Sequence, residues 1–300
     1  MRKTKVVIIG AGPAGIAASI QLKRCCIEFI LLEKDSAGGL LVNANRVENY
    51  PGFPEGISGA ELAGLMRKQL EENKIKIEQE EVTDVDYDGS SFHILTDKGE
   101  IFSKLLVIAT GTMPAEYFIS ERLVNVDKNV FYDIKSLLKV KNKRIAVVGA
   151  GDSAFDYAVN LAQKNVVTVL NRSNKIKCNP SLWSKAAGNA NITYLPDTEI
   201  ISIDTHNEGL IVDHINNNNF KIKELFVDYL IAAIGRKPNL SFINESFKEK
   251  MESLQNQNLL FMIGDVKNNI FRQTAISAGD GVKAAMQIHN KFNPLRYFTV

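Results

Sequence analysis

Two stretches with one pattern constrain this chain more than anything else in it. "KVVIIGAGPAGIAA" runs from Lys5 to Ala18, and "RIAVVGAGDSAFD" runs from Arg144 to Asp156. Each begins with branched apolar residues, passes through Gly-Ala-Gly, and continues into small residues suited to a helix. A continuous apolar run of this kind reads as a strand buried on both faces, as in a parallel sheet. A glycine-rich turn between such a strand and a helix predicts a βαβ unit. The chain therefore reads as two copies of one plan.

The rest of the sequence follows that plan twice. Strands at Val6–Ile9 and Phe29–Leu32 flank a helix at Pro13–Arg24. "GAELAGLMRKQLEENK" is amphipathic, with Leu62, Leu65, Met66 and Leu70 near helical spacing. "EVTDVDY" and "SFHILTD" alternate and predict an antiparallel meander turning at Lys98-Gly99, after which "LLVIATG" is a buried strand. The plan restarts with a strand at Arg144–Val148, a helix at Ser153–Gln163 and a strand at Val166–Leu170. "TEIISIDTH" and "GLIVDHI" alternate, the polar run at 216–219 reads as a hairpin tip, and "DYLIAAIG" repeats "KLLVIATG". "LLFMIGD" is a last strand and Arg272–Lys291 a last helix.

The glycine loops suit phosphate. Gly10 permits the tight turn, Gly12 lets backbone approach a pyrophosphate, and Gly15 lets helix and strand pack closely. The helix N-terminus adds free N–H groups and partial positive charge. Glu33, at the end of the next strand, is placed to accept hydrogen bonds from ribose hydroxyls. In the second loop the glycines are Gly149 and Gly151, with Ala154 in the third place and Asp152 and Ser153 between. There the strand after the helix ends in Arg172, with Lys175 and Lys177 beyond it. A guanidinium attracts a ribose 2′-phosphate that a carboxylate would repel, so this loop reads as a site for NADPH rather than NADH. The plainer alternative is a solvated basic turn. Two cradles imply two dinucleotides.

Composition excludes several other classes. With 300 residues, 45% hydrophobic and 23% charged, the chain is an ordinary globular protein. A net charge of +2, with no basic block or acidic tail, points to no nucleic acid. The basic and apolar start imitates a signal peptide, but its fixed glycines are not what such a segment needs. No apolar run approaches the ~20 residues of a membrane span, and a reducing cytoplasm is the expected compartment. The three cysteines, Cys25, Cys26 and Cys178, lack metal-ligand spacing. Cys178 stands alone among basic residues, a setting that can lower a thiol pKa, but a structural thiol is the favoured reading over a reactive one. His93, His206, His214 and His289 are scattered and form no catalytic or metal constellation.

At this point the sequence resembles the thioredoxin reductase-like flavoproteins over nearly its whole length. The matching motifs, in order, are GAGPAG at 10–15, "VENYPGFP" at 47–54, "ATG" at 109–111, GAGDSA at 149–154, "IGD" at 263–265 and "RQTAISAGDG" at 272–281. The resemblance implies an α/β fold of two Rossmann-type, three-layer ββα dinucleotide-binding domains. The FAD domain, 1–113 and 239–300, is discontinuous, and the NADPH domain, 114–238, is inserted into it. It implies FAD contacts at Gly10, Gly12, Pro13, Ala14, Gly15, Glu33, Gly39, Leu40, Asn49, Tyr50, Val82, Ala109, Thr110, Gly111 and Asp265. Arg272, Gln273, Thr274 and Ala275 begin a helix facing the flavin. It implies NADPH contacts at Gly149, Gly151, Asp152, Ser153, Ala154, Asn171, Arg172, Lys177, Gly235 and Arg236. A family glutamine after Gly39 is replaced by Leu40, and the basic triplet survives only as Asn171-Arg172-Ser173 with Lys177 nearby.

The main departure is an absence. Thioredoxin reductases carry Cys-x-x-Cys shortly before the second glycine loop, and "NVFYDIKSLLKVKNK" at 129–143 has no cysteine. A dithiol relay needs two. The cysteine-free branch of the family is the ferredoxin–NADP reductases of thioredoxin reductase type. The expectation is therefore an oxidoreductase, homodimeric in the manner of the family, that moves hydride from NADPH to FAD and then electrons directly to ferredoxin or flavodoxin. Disulfide or quinone reduction stays open, as does a flavin-binding scaffold or sensor. The aromatic tail from Asn293 either is solvated or covers the flavin.

Overall fold

The computed structural model describes residues 2–115 and 128–293. These form two compact units. The first consists of the segments up to Val42, from Arg46 to Met113 and from Lys237 onward; the second consists of Asn43–Asn45 and Pro114–Arg236. The expectation for the aromatic C-terminal tail falls on 294–300, outside the described residues.

In the first unit, β1 (Arg2–Ile9) leads into α1 (Pro13–Arg24) and β2 (Phe29–Glu33), followed by α2 (Gly59–Glu72), β3 (Ile77–Gln79), β4 (Val82–Tyr87), β5 (Phe92–Thr96) and β6 (Gly99–Ile108). β1 pairs in parallel with β2 and with β6, so Val6 to Ile9 are buried on both faces. This explains the unbroken apolar run. Pro13 starts α1 where its missing N–H costs nothing, and Lys23 and Arg24 close it against the negative end of the dipole. At α2, Ser58 and Glu61 form a reciprocal capping box, whose bonds hold the Glu61 carboxyl below its usual range. Leu62, Met66 and Leu70 are buried on α2, but Leu65 is 49% exposed, so the buried stripe is narrower than the sequence suggested.

The chain then passes through β7 (Thr112–Pro114) into the second unit: β8 (Val130–Phe131), β9 (Arg144–Val148), α3 (Asp152–Leu161), β10 (Val166–Leu170), α4 (Pro180–Ala187), β11 (Ile192–Leu195), β12 (Thr198–His206), β13 (Gly209–Asn216), β14 (Lys221–Val227) and β15 (Tyr229–Ala232). It returns through β16 (Arg236–Pro238), which pairs with β7, to α5 (Glu245–Asn256), β17 (Leu260–Met262) and α6 (Thr274–Phe292) of the first unit.

The parallel cores match strand for strand. In the first the order is β3-β2-β1-β6 with β17 beyond β6; in the second it is β11-β10-β9-β15-β8. The fifth strand comes from after the core in the first unit and from before it in the second. The meanders differ. β6 is ten residues long and belongs to both the parallel and the antiparallel part of one sheet, whereas β12–β14 form a sheet of their own. The break falls at Asp228, whose carboxylate accepts from the Arg144 N–H at 2.7 Å, with Lys143 Nζ at 3.4 Å, and so separates β14 from β15.

Two helix starts differ from the sequence reading. α3 begins at Asp152, one residue early. α6 begins at Thr274, because Gln273 is extended at φ −137° and ψ 146°. Arg272 and Gln273 therefore precede the helix rather than opening it. α6 lies backbone to backbone on α1: a Cβ on Gly281 would stand 2.2 Å from the Ala14 carbonyl oxygen.

A charge cluster ties β1 to the edge of the same sheet. Arg2 donates through both terminal nitrogens to Glu80 at 2.7 Å and also pairs with Glu78; the Glu80 side chain is only 8% exposed and accepts from the Thr96 hydroxyl at 2.7 Å. The Arg2 hydrogen bond, against the opposing effect of burial, holds the Glu80 carboxyl below its ordinary 4.5. A carboxyl depressed in the folded state stabilises the fold above its unfolded value and loses that contribution as pH falls through the folded one. Arg2 is 35% exposed, so water screens the pair and the expected loss is about 1 kcal/mol. Urea midpoints at pH 7 and pH 3.5 should differ less in Glu80→Gln than in wild type. An identical acid dependence in the two proteins would remove this pair from the acid response.

Candidate dinucleotide-binding sites

The two glycine loops are built alike. Gly10 has φ +102° and Gly149 φ +131°, values that L side chains rarely adopt. A Cβ on either would stand 2.5 Å from the Ala109 oxygen or 2.4 Å from the Ala233 oxygen, on the neighbouring parallel strand's exit. Gly10 N donates to Leu32 O at 2.8 Å and Gly149 N to Leu170 O at 2.9 Å. The third positions differ. A Cβ on Gly15 would lie 1.9 Å from the Gly10 oxygen, which allows only glycine, while Ala154 sits fully buried in the second unit.

The middle glycines are open. Gly12 and Gly151 are the N-caps of α1 and α3, no side chain caps either helix, and a Cβ on either meets nothing within 4 Å. Uncapped helix N-termini behind bare backbone, with space in front, form a cradle for a pyrophosphate. The chemistry beside each loop differs. In the first unit, Glu33 accepts from Ala11 N at 2.7 Å and Asp35 N at 2.9 Å. Each carboxylate oxygen keeps a lone pair for a ribose hydroxyl. In the second unit the corresponding turn is Asn171–Lys175. Arg172 is exposed there, and its guanidinium has no ion pair among the described residues. Lys177, also exposed, donates its backbone N–H to Ala150 O at 2.9 Å. The residues present thus fit a dinucleotide at each loop, with a 2′-hydroxyl at the first and a 2′-phosphate at the second.

Of the other candidate residues in the first unit, Gly39, Ala109 and Thr110 lie against the first loop, and Asn49 and Asp265 are held by bonds of their own. Gly38 N donates to Ala11 O at 2.8 Å, and a Cβ on Gly39 would lie 3.3 Å from Gly12 Cα, so the Gly38–Gly39 turn closes on the cradle with half-buried Leu40 after it. Asn49 Nδ2 donates to Gln273 Oε1 at 2.9 Å, joining the segment of Tyr50 to the start of α6, where Thr274 and Ala275 form the first turn. Asp265 accepts from the Ser277 hydroxyl at 3.0 Å. Thr110 donates to Asn239 O at 2.7 Å, and Gly111 O accepts from Asn239 N at 3.0 Å. Val82 lies in the hydrophobic core.

In the second unit, Asp152 accepts from Asn179 N at 2.7 Å. Gly235 has φ +125° with open space at its Cβ position, and the charge of Arg236 bears on Tyr157, whose hydroxyl burial pushes up to about 12. Tyr194 lines a cavity of about 210 Å³ with Phe155, Trp183, Ala186, Ala187 and Ile192. Gly38, Ser277 and Tyr194 were not singled out from the sequence. The Gly-Gly pair was a usable signal for the first; the other two act through partners far away in the chain.

Cys178 sits in a setting unlike its sequence neighbourhood. Burial, reinforced by Asp152, pushes its thiol up rather than down, so its basic neighbours in sequence do not make it a thiolate. Cys25 ends α1, Cys26 is exposed at φ +54°, and all three cysteines are free. Among the described residues no group of His, Cys, Asp or Glu could hold a metal ion, and no helix is long and apolar enough to cross a membrane.

Two Rossmann-type units, each with an open glycine cradle, define an oxidoreductase that works with two dinucleotides. The chain belongs to the pyridine nucleotide-disulphide oxidoreductase family, whose model matches residues 4–281. It is 31% identical to the thioredoxin reductase of Chlamydia pneumoniae, over 95% of this chain and 98% of that protein. It is 31% identical to that of Dictyostelium discoideum, over 94% and 95%. Among solved structures, Lactococcus lactis thioredoxin reductase in its FR conformation superposes with a TM-score of 0.85 at 27% identity, covering 97% of this chain and 100% of that one. The protein is accordingly an NAD(P)H-dependent flavoprotein oxidoreductase of the thioredoxin reductase type, a class whose cofactors are FAD and NADPH.

Proposed function

We propose that the first unit holds FAD, that the second holds NADPH, and that electrons leave directly for an external one-electron carrier of the ferredoxin or flavodoxin kind. FAD, when bound, supplies the redox chemistry, taking a hydride from NADPH and releasing its electrons singly or in pairs. The chain's own residues bind and orient. Gly10, Gly12 and Gly15 bring backbone to the FAD pyrophosphate, and Glu33 accepts from its ribose. Ser277 holds the Asp265 carboxylate in one orientation, and the N-terminus of α6 offers N–H groups to a negative flavin edge. Gly149 and Gly151 receive the second pyrophosphate, and Arg172 with Lys177 meets the 2′-phosphate. The protein works as a homodimer.

One observation carries the direct handover: the segment 129–143 contains no cysteine, and the three cysteines of the chain are free. A relay to a protein disulfide needs a dithiol, and the raised Cys178 thiol is a poor nucleophile at neutral pH. The second reading is a disulfide reductase, favoured by the curated relatives, which are thioredoxin reductases.

A variant with Cys25, Cys26 and Cys178 all changed to Ser separates the two. None of the three is fully buried, so the stability loss should be about 1 kcal/mol or less. NADPH-driven reduction of ferredoxin, flavodoxin or an artificial dye should persist at the wild-type rate, and neither protein should reduce thioredoxin. Thioredoxin reduction by wild type that disappears in the variant would overturn direct handover in favour of a thiol relay. An anaerobic NADPH oxidation assay with no turnover toward any acceptor would leave only a flavin-binding scaffold.

A further inference from the structure

We infer that Asn171 and Tyr194 are positioning residues for the ribose 2′-phosphate: together they fix the turn Asn171–Lys175 that presents Arg172. The inference rests on the NADPH reading of the second unit and names what shapes that site.

Directly after β10, Asn171 is only 6% exposed, although it is an amide at the end of a strand. Its side chain is fully engaged behind the turn. Nδ2 donates to Lys175 O at 3.1 Å and to Tyr194 Oη at 2.9 Å, and Oδ1 accepts from Ser173 N at 3.3 Å. The last is an Asx-turn, which bends the chain at the two following residues. The backbone of Asn171 is tied on both sides: its N–H donates to Leu195 O at 3.0 Å, and its carbonyl accepts from Thr198 N at 2.8 Å. Further on, Ser173 Oγ accepts from Lys175 N at 3.3 Å, and Arg172 O accepts from Asn217 Nδ2 at 3.4 Å. Each end of the turn is thereby joined to one buried amide, while Arg172, next to it, is exposed.

Tyr194 anchors that amide from β11. Its ring is wedged between Trp183, at a centroid distance of 5.1 Å, and Phe155, at 5.9 Å. The hydroxyl is therefore a fixed acceptor, and it holds the Asn171 amide in the orientation that also reaches Lys175 O. A charged side chain discriminates well only when the backbone carrying it is already ordered; a loose turn loses part of the contact to the entropy of fixing it. On this account Asn171 does not need to touch the nucleotide. Its place in the basic triplet is a support for Arg172.

The test uses 2′,5′-ADP and 5′-AMP, which differ by the 2′-phosphate alone, titrated calorimetrically into the flavin-loaded protein. Tyr194→Phe removes one hydroxyl and keeps the ring. It should weaken 2′,5′-ADP by roughly threefold to tenfold, the worth of one neutral hydrogen bond, and leave 5′-AMP unchanged. In steady state the KM for NADPH should rise by the same factor with kcat and the KM for NADH unmoved. Asn171→Ala should weaken 2′,5′-ADP further, and its effect combined with Tyr194→Phe should be less than the product of the two. Equal weakening of both nucleotides would mean a merely structural role and overturn the inference. So would unchanged 2′,5′-ADP affinity in Tyr194→Phe. A wild type that binds 2′,5′-ADP no better than 5′-AMP would remove the NADPH reading itself, and the inference with it.

Discussion

Gly12→Val should yield a protein that folds as wild type does and carries no FAD. Gly12 has φ −76° and ψ −176°, an extended conformation open to any residue, and a Cβ there meets nothing within 4 Å. The fold thus has little to lose. The ligand has much, because that empty space lies at the N-cap of α1, where a pyrophosphate would need to approach backbone. A branched side chain there displaces the phosphates and takes the helix N–H groups out of reach. The combined penalty of overpacking and lost hydrogen bonds is roughly a hundredfold or more in affinity. The choice of position matters. At Gly10, φ is +102° and a Cβ would stand 2.5 Å from Ala109 O; at Gly15 it would stand 1.9 Å from Gly10 O. Substitutions at those two glycines would break the fold, and lost flavin would then say nothing about binding. The measurement is the ratio of flavin absorbance to protein, with thermal unfolding of the apoprotein as its companion. A folded Gly12→Val protein with a full complement of FAD would sink the assignment of this loop.

What could be read from the sequence was local, and what could not was set by distant partners. The strands β1, β9 and β10 and the helix α1 were legible because burial on both faces, a glycine turn and an N-terminal proline each act within a few residues. The open cradles at Gly12 and Gly151 follow from the same local geometry. Leu65 was misplaced because i+3 and i+4 spacing alone does not say how wide the buried stripe of α2 is. The break between β14 and β15 was hidden because it depends on Asp228 reaching the backbone of Arg144. Cys178 shows the same limit in chemistry. Lys175 and Lys177 are its neighbours in sequence, but Asp152 and burial govern its thiol. Asn171 was grouped with Arg172 as a nucleotide contact because both stand in the basic triplet of the family the sequence resembles. The bond that turns its amide inward comes from Tyr194, on another strand.

Arg172→Ala should cost the enzyme its preference for NADPH and little else. The residue is exposed, ends no helix and makes no ion pair among the described residues, so its removal leaves the fold of the second unit intact. Its charge matters only when a 2′-phosphate is present. One charge-assisted contact of this kind is worth ~1.5–3 kcal/mol, which is roughly tenfold to a hundredfold in kcat/KM for NADPH. NADH has a hydroxyl where the phosphate would be, so its kcat/KM should move less than about twofold. Salt gives an independent check. An exposed guanidinium acting on a phosphate is screened over about 10 Å at 0.1 M ionic strength. The wild-type ratio of NADPH to NADH efficiency should therefore fall steeply as salt rises, and the variant's lower ratio should fall less. The Asn171–Tyr194 network stays in place in this variant, so the loss is that of the charge itself and not of the turn that carries it. Lys177 remains as a second cation near the same turn, and its residual attraction sets the preference the variant keeps. A wild type that prefers NADH, or an Arg172→Ala protein with the full NADPH preference, would show that this basic turn does not read the 2′-phosphate.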